Sequence, residues 1–159
     1  LDMLLKWFAP ILSFTTEEIY QIINKNNKSS IHLQAFPKIP KSWENEKIFN
    51  KWKKFKTIRK VVNAAIEVKR ATKEIGSSLE ADVEVYLNQD YLKTVKDFDL
   101  SENFITSKAT AKELKNGRDY FKLNDIQDVQ VLVKKAEGEK CPRCWKIFIS
   151  TCKRCNSKS

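Results

Sequence analysis

ENEKIFNKWKKFKTIRKVVNAAIEVKRATKEI, residues 44–75, is the stretch from which the architecture has to be read. Ile48, Trp52, Phe55, Ile58, Val62, Ala65 and Ile66 recur every three or four residues. That is the period of one long helix, or of two in close succession, with a single buried face. Lys51, Lys53, Lys54, Lys56, Arg59, Lys60, Lys69, Arg70 and Lys73 fill much of the remainder, and only Glu67 and Glu74 oppose them between Lys51 and Glu74. A helix so one-sided in charge suits either a phosphate backbone or the wet side of a bundle. Gly76 supplies a C-terminal stop.

Upstream, Leu4, Leu5, Trp7, Phe8, Ile11 and Leu12 form another apolar stripe at helical spacing, interrupted by Pro10. Thr15-Thr16-Glu17-Glu18 reads as a capping box, with Thr15 as cap and Glu18 reaching back. Ile19, Tyr20, Ile22 and Ile23 continue that helix to a polar loop over 24–30, and residues 30–37 read as extended. His32, the sole histidine, is expected at the surface or hydrogen-bonded rather than as a ligand.

Beyond Gly76 the period becomes two. Asp82-Val83-Glu84-Val85-Tyr86-Leu87 alternates as a half-buried strand. Residues 91–98 resemble a short helix, 104–106 a second strand, Asn116-Gly117 a turn, and 129–133 a third strand. The expectation is a mainly α chain: a helical bundle over 1–75, a small α+β unit over 76–136, and a four-cysteine finger over 137–159.

All four cysteines fall in that last segment, as Cys141-Pro142-Arg143-Cys144 and Cys152-Lys153-Arg154-Cys155. Two residues between sulfurs close a tight turn in which both face one ion. Two such turns supply the four thiolates of a closed, structural Zn2+ site. No coordination position is left for water, which argues against a catalytic metal. Disulfides are the competing reading, but small disulfide scaffolds spread cysteines along the chain, and none occurs in the first 140 residues. Grouped thiols fit a reducing compartment, so the cytoplasm is expected.

The 159 residues carry a net charge of +10 and 42% hydrophobic content. This is enough for a real core and favours an anionic partner, nucleic acid first. Lysines outnumber arginines 25 to 5, so a plainly solvated basic surface is the alternative. No apolar run reaches the length of a membrane span, no signal peptide is visible, and no membrane partner is expected. Leu1 already lies inside a helical pattern, so a longer parent chain is expected.

Assembled, these residues resemble the C-terminal part of bacterial-type isoleucyl-tRNA synthetases. Residues 9–20, APILSFTTEEIY, look like the helical anticodon-binding domain of class I synthetases for aliphatic amino acids. Residues 73–81, KEIGSSLEA, are similar to that family's joint between helices and a small mixed domain. Residues 140–145, KCPRCW, with the later cysteine pair, are similar to its terminal zinc finger. The seven residues between Cys144 and Cys152 are fewer than this finger is expected to have. The resemblance implies a parent enzyme that joins isoleucine to its tRNA with ATP and Mg2+ bound outside this segment. Catalytic and editing domains would lie upstream, and the protein would be a monomer. Neither a His-Ile-Gly-His nor a Lys-Met-Ser-Lys-Ser type motif occurs here. The segment would bind isoleucine tRNA at its anticodon stem-loop and carry no catalytic residue.

Expected tRNA contacts are Arg143, Trp145, Lys146, Lys153 and Arg154 on the finger, with Arg59, Lys69 and Arg70 on the long helix. Trp145 has two open readings, packing over the metal site or stacking on a base. The rival functions are a free-standing zinc-ribbon adaptor, or another nucleic-acid-binding zinc protein such as a DNA-repair glycosylase. The glycosylase would need an N-terminal catalytic proline and acid on a β-sandwich, and none is visible.

Overall fold

The computed structural model describes residues 1–25, 29–114, 120–150, 152 and 155. The chain divides into two compact units, Leu1–Asn45 and Glu46–Ser159.

In the first unit, helices α1 (Asp2–Phe8) and α2 (Ser13–Ile23) are joined by a turn through Pro10. Leu5, Ala9, Tyr20 and Ile31 form its small buried core, with Ile19 against it. α2 starts at Ser13, two residues before the expected cap, and has no side-chain cap at Leu12. The Thr16 hydroxyl donates back to Leu12 O at 2.9 Å. Glu17, not Glu18, is the organising carboxylate of the box. It accepts from the Ile31 N–H at 2.9 Å and from the Ser30 hydroxyl at 2.8 Å. The Gln21 amide, these two donors and His32 hold its carboxyl below the usual range. Residues 31–33 form a 3-10 turn within the stretch read as extended. His32 is exposed, with its ring Nε2 3.3 Å from Ser13 O.

The second unit corrects the mainly α expectation. Helix α3 (Glu46–Ala71) does bury one face, through Phe55, Ile58, Val61, Val62, Ala65 and Ile66. Its partner, however, is a four-stranded mixed sheet rather than a helical bundle, and helix and sheet share one core. A helical stripe specifies that a face is buried but not what covers it. The sheet order is β2-β1-β4-β3, with β1 (Ala81–Leu87), β2 (Lys108–Glu113), β3 (Phe121–Leu123) and β4 (Ile126–Lys135). β1 runs parallel to β2 and antiparallel to β4. The parallel crossover carries α4 (Gln89–Val95) and α5 (Leu100–Phe104). Ala81, Val83, Val85 and Leu87 of β1 and Val129, Val131 and Val133 of β4 are buried in that core. Phe55 stacks on Phe98 at 4.5 Å and on Phe104 at 5.5 Å between ring centres.

Two further boundaries differ from expectation. α3 ends at Ala71, before Gly76, in a Schellman motif: the Glu74 N–H donates to Lys69 O and the Lys73 N–H to Arg70 O. Lys73 takes the left-handed position at φ 59°. The expected strand at 104–106 is the same kind of ending on α5, with Ile105 at φ 57°. The strand lies after it, as β2, whose KATAKE sequence alternates only through two small alanines. The turn expected at Asn116-Gly117 falls outside the described residues. Among the described residues, no helix is long and apolar enough to cross a membrane.

Candidate metal centre and nucleic-acid interface

The cysteine segment is built on a two-stranded ribbon, β5 (Glu139–Lys140) paired with β6 (Ile147–Phe148). Gly138 enters it at φ 119°, where a Cβ would lie 2.2 Å from Phe148 O, so only glycine fits. Between the strands, residues 141–145 form a tight knuckle. The Trp145 N–H donates to Cys141 O and the Cys141 N–H to Lys146 O, both at 2.9 Å. Cys152 and Cys155 form a second turn, in which the Cys155 N–H donates to Cys152 O at 3.3 Å.

The two turns converge. The four sulfurs lie within 4.8 Å of one another, and none is in a disulfide. Cys144 Sγ and Cys152 Sγ are 3.6 Å apart. Four thiolates about 2.3 Å from a central zinc would be separated by about 3.8 Å, so the residues fit a tetrahedral ion. Burial pushes the Cys144 thiol up and the Cys155 thiol to about 12, and the neighbouring thiols add to the rise at Cys155. A divalent cation reverses that logic by stabilising the thiolates. Four sulfurs complete the shell, so the centre is suited to holding structure and not to activating water.

The expected RNA contacts separate into distinct groups. Arg143 and Trp145 are exposed on the knuckle, Trp145 at 60%. Trp145 sits at φ 64°, a conformation that only glycine adopts routinely. Lys140 Nζ stands 5.9 Å from the centre of its ring. Lys140 was not among the expected contacts, although its place beside Cys141 is the signal that could have found it. Lys146 is only 6% exposed, and its ammonium lies 2.6 Å from Glu102 Oε1. Lys153 and Arg154 fall outside the described residues.

On α3, Arg59 is half-buried, with its Nε lacking a hydrogen-bond partner. Lys69 pairs with Glu74 and Arg70 with Glu67, both at 2.7 Å. Lys51, Lys54 and Lys60 pair with Asp97, Asp90 and Asp125 from beyond the helix. Much of the basic face that is unopposed along the helix is thus opposed in space. No local pattern could show this, because the partners are 36 to 65 positions away.

Known proteins resemble this chain over most of its length. The family model for the anticodon-binding domain of tRNA ligase matches residues 1–86. The isoleucine–tRNA ligase of Pelagibacter ubique (strain HTCC1062) is 47% identical over 154 residues, covering 97% of this chain and 16% of the relative. That of Bradyrhizobium diazoefficiens is 42% identical over 147 residues, covering 92% of the chain and 15% of the relative. The Natranaerobius thermophilus enzyme is 36% identical over 152 residues, covering 91% and 16%. The chain therefore spans about one-sixth of the length of these relatives.

Proposed function

We propose that this chain, which belongs to the anticodon-binding domain family of tRNA ligases, is the tRNA-binding segment of an isoleucine–tRNA ligase. It engages the anticodon stem-loop of isoleucine tRNA and helps position it for aminoacylation by upstream catalytic and editing domains of the same polypeptide. ATP and Mg2+ belong to those domains. The parent enzyme acts as a monomer in the cytoplasm.

The observation that carries the reading is Trp145. A large aromatic side chain stands mostly exposed on the thiol knuckle, in a strained left-handed conformation. Such a residue costs about 1–2 kcal/mol relative to glycine there. At Lys73 and Ile105 the same conformation ends a helix, whereas at Trp145 it closes the cysteine knuckle beneath an exposed indole. In the open Trp145 question, exposure supports stacking on an unstacked anticodon-loop base over packing on the metal. Arg143 and Lys140 flank it and supply cations for adjoining phosphates. Zn2+ held by Cys141, Cys144, Cys152 and Cys155 would fix the knuckle that presents all three. Lys153 and Arg154 join the contacts of the finger, while Arg59, Lys69 and Arg70 serve as weaker, sequence-independent phosphate contacts. Lys146 has a different task, since its ammonium is engaged by Glu102.

Base-specific chemical footprinting of isoleucine tRNA with the zinc-loaded chain tests this reading. Protection should concentrate in the anticodon loop and weaken with Arg143→Ala. Protection spread evenly along the tRNA would reduce the chain to a basic surface.

A further inference from the structure

We infer that Glu102 and Ser107, both outside the cysteine finger, are positioning residues that set the orientation of its first knuckle and hence of Trp145 toward RNA. The inference rests on the tRNA-binding function proposed above. β5 and β6 have two residues each, and the ribbon has little core of its own with which to fix its attitude to the sheet. Two tethers supply what is missing, and they grip consecutive residues immediately after Trp145.

The first tether is the side chain of Lys146, whose carbonyl already receives the Cys141 N–H inside the knuckle. Its ammonium is 2.6 Å from Glu102 Oε1, and its side chain is 7% exposed. The Lys146 ammonium is buried while the Glu102 side chain is 47% exposed, so the pair is held at its lysine end more firmly than one exposed at both ends. Glu102 is itself held in the first turn of α5, where its N–H donates to Asp99 Oδ1 at 3.0 Å. That N–H, the Ser101 hydroxyl and the Lys146 ammonium keep the Asp99 carboxyl below its usual range.

The second tether is Ser107. Its hydroxyl accepts the Ile147 N–H and donates to Leu79 O, while its own N–H donates to Ala81 O at 3.1 Å. One buried serine thus joins the strand leaving the knuckle to the start of the central strand β1. Glu102 lies in α5 and Ser107 in the short segment between α5 and β2, which follows the left-handed Ile105. Partners that orient metal ligands typically change affinity or activity by roughly 10- to 100-fold when removed, and tethers that orient the knuckle should act at the lower end of that range.

The test compares the full chain with Glu102→Gln, Ser107→Ala, and the exchanged pair Glu102→Lys with Lys146→Glu. For each, zinc content, low-salt binding to an unrelated RNA, and the affinity ratio between isoleucine tRNA and a tRNA with a swapped anticodon loop are measured. We expect Glu102→Gln and Ser107→Ala to reduce that ratio by roughly tenfold or to unity. Zinc should stay at one equivalent and low-salt binding should be unchanged, and the exchanged pair should recover most of the ratio. An undiminished ratio in both single variants would overturn the positioning role while leaving the tRNA reading intact. Loss of zinc in step with the ratio in all three variants would also overturn it, since the residues would then serve metal retention alone. A wild-type chain with no preference between the two tRNAs would refute the underlying function, and the inference with it.

Discussion

Cys144 Sγ lies 3.6 Å from Cys152 Sγ, joining two cysteine pairs that are separated in sequence by seven residues. Four sulfurs this close, none of them in a disulfide, are placed to hold a cation. The chain purified without chelator should contain one zinc per molecule. Cys152→Ser combined with Cys155→Ser should lose it. Because the ribbon has almost no core, strong chelation should unfold the finger while leaving the sheet's circular dichroism in place. Two disulfides by mass spectrometry, or metal persisting in the double variant, would contradict the assignment.

The shared core of α3 and the sheet predicts cooperative unfolding of both. Phe55 is fully buried and stacks on Phe98 and Phe104, while Trp52 meets its edge. Phe55→Ala should cost about 3–5 kcal/mol in urea unfolding. Helix and sheet signals should shift together, and separate transitions for α3 and the strands would argue against a joint core.

Lys73 and Trp145 both occupy the left-handed region without being glycine. Lys73→Gly should stabilise the chain by about 1 kcal/mol, the steric relief being partly offset by the greater freedom of the unfolded chain. Trp145→Gly should likewise keep the metal and strengthen the knuckle, yet weaken tRNA binding by about 1–3 kcal/mol. Unchanged tRNA affinity in a zinc-loaded Trp145→Gly chain would remove the stacking role.

Glu84 carries the clearest pH dependence. Lys112, first, and then the Tyr86 hydroxyl stabilise its carboxylate, holding it at about 2, with Lys134 adding to the effect. The Glu84 interaction with Tyr86 also raises the phenol. A carboxyl depressed on folding contributes stability that is complete above its unfolded value of about 4.5. This contribution disappears as pH falls toward 2. With screening at a partly exposed site, it is of order 2 kcal/mol. Glu84→Gln should be less stable at pH 7 and flatter between pH 5 and pH 2 than the parent chain. Parallel curves for the two would show that Glu84 is unpaired in solution.

The cysteine spacing, the strand at 81–87 and the buried stripe of α3 were readable because each is a local pattern. Their assembly was not. The stripe of Phe55, Ile58, Val62 and Ile66 fits a helical neighbour as well as Val83, Val85 and Val131, so bundle and sheet are indistinguishable from periodicity alone. β2 escaped notice because Ala109 and Ala111 are its only apolar residues on the core side, between lysines and threonine. Lys146 reads in sequence as one more cation beside the cysteines, because its partner Glu102 lies 44 positions earlier. Glu17 and Glu18 are equivalent in sequence. Only the return of the chain at Ser30 and Ile31 shows which of them works.

The most direct test of the central claim is competition for the zinc-loaded chain, near physiological salt, between isoleucine tRNA and the same tRNA with a swapped anticodon loop. At low salt, the net charge of +10 should make both bind by counterion release. Near physiological salt, the swapped tRNA should compete at least about fivefold less well, the size of losing one stacked base. Equal competition by the two tRNAs, with the chain folded and its metal in place, would contradict it.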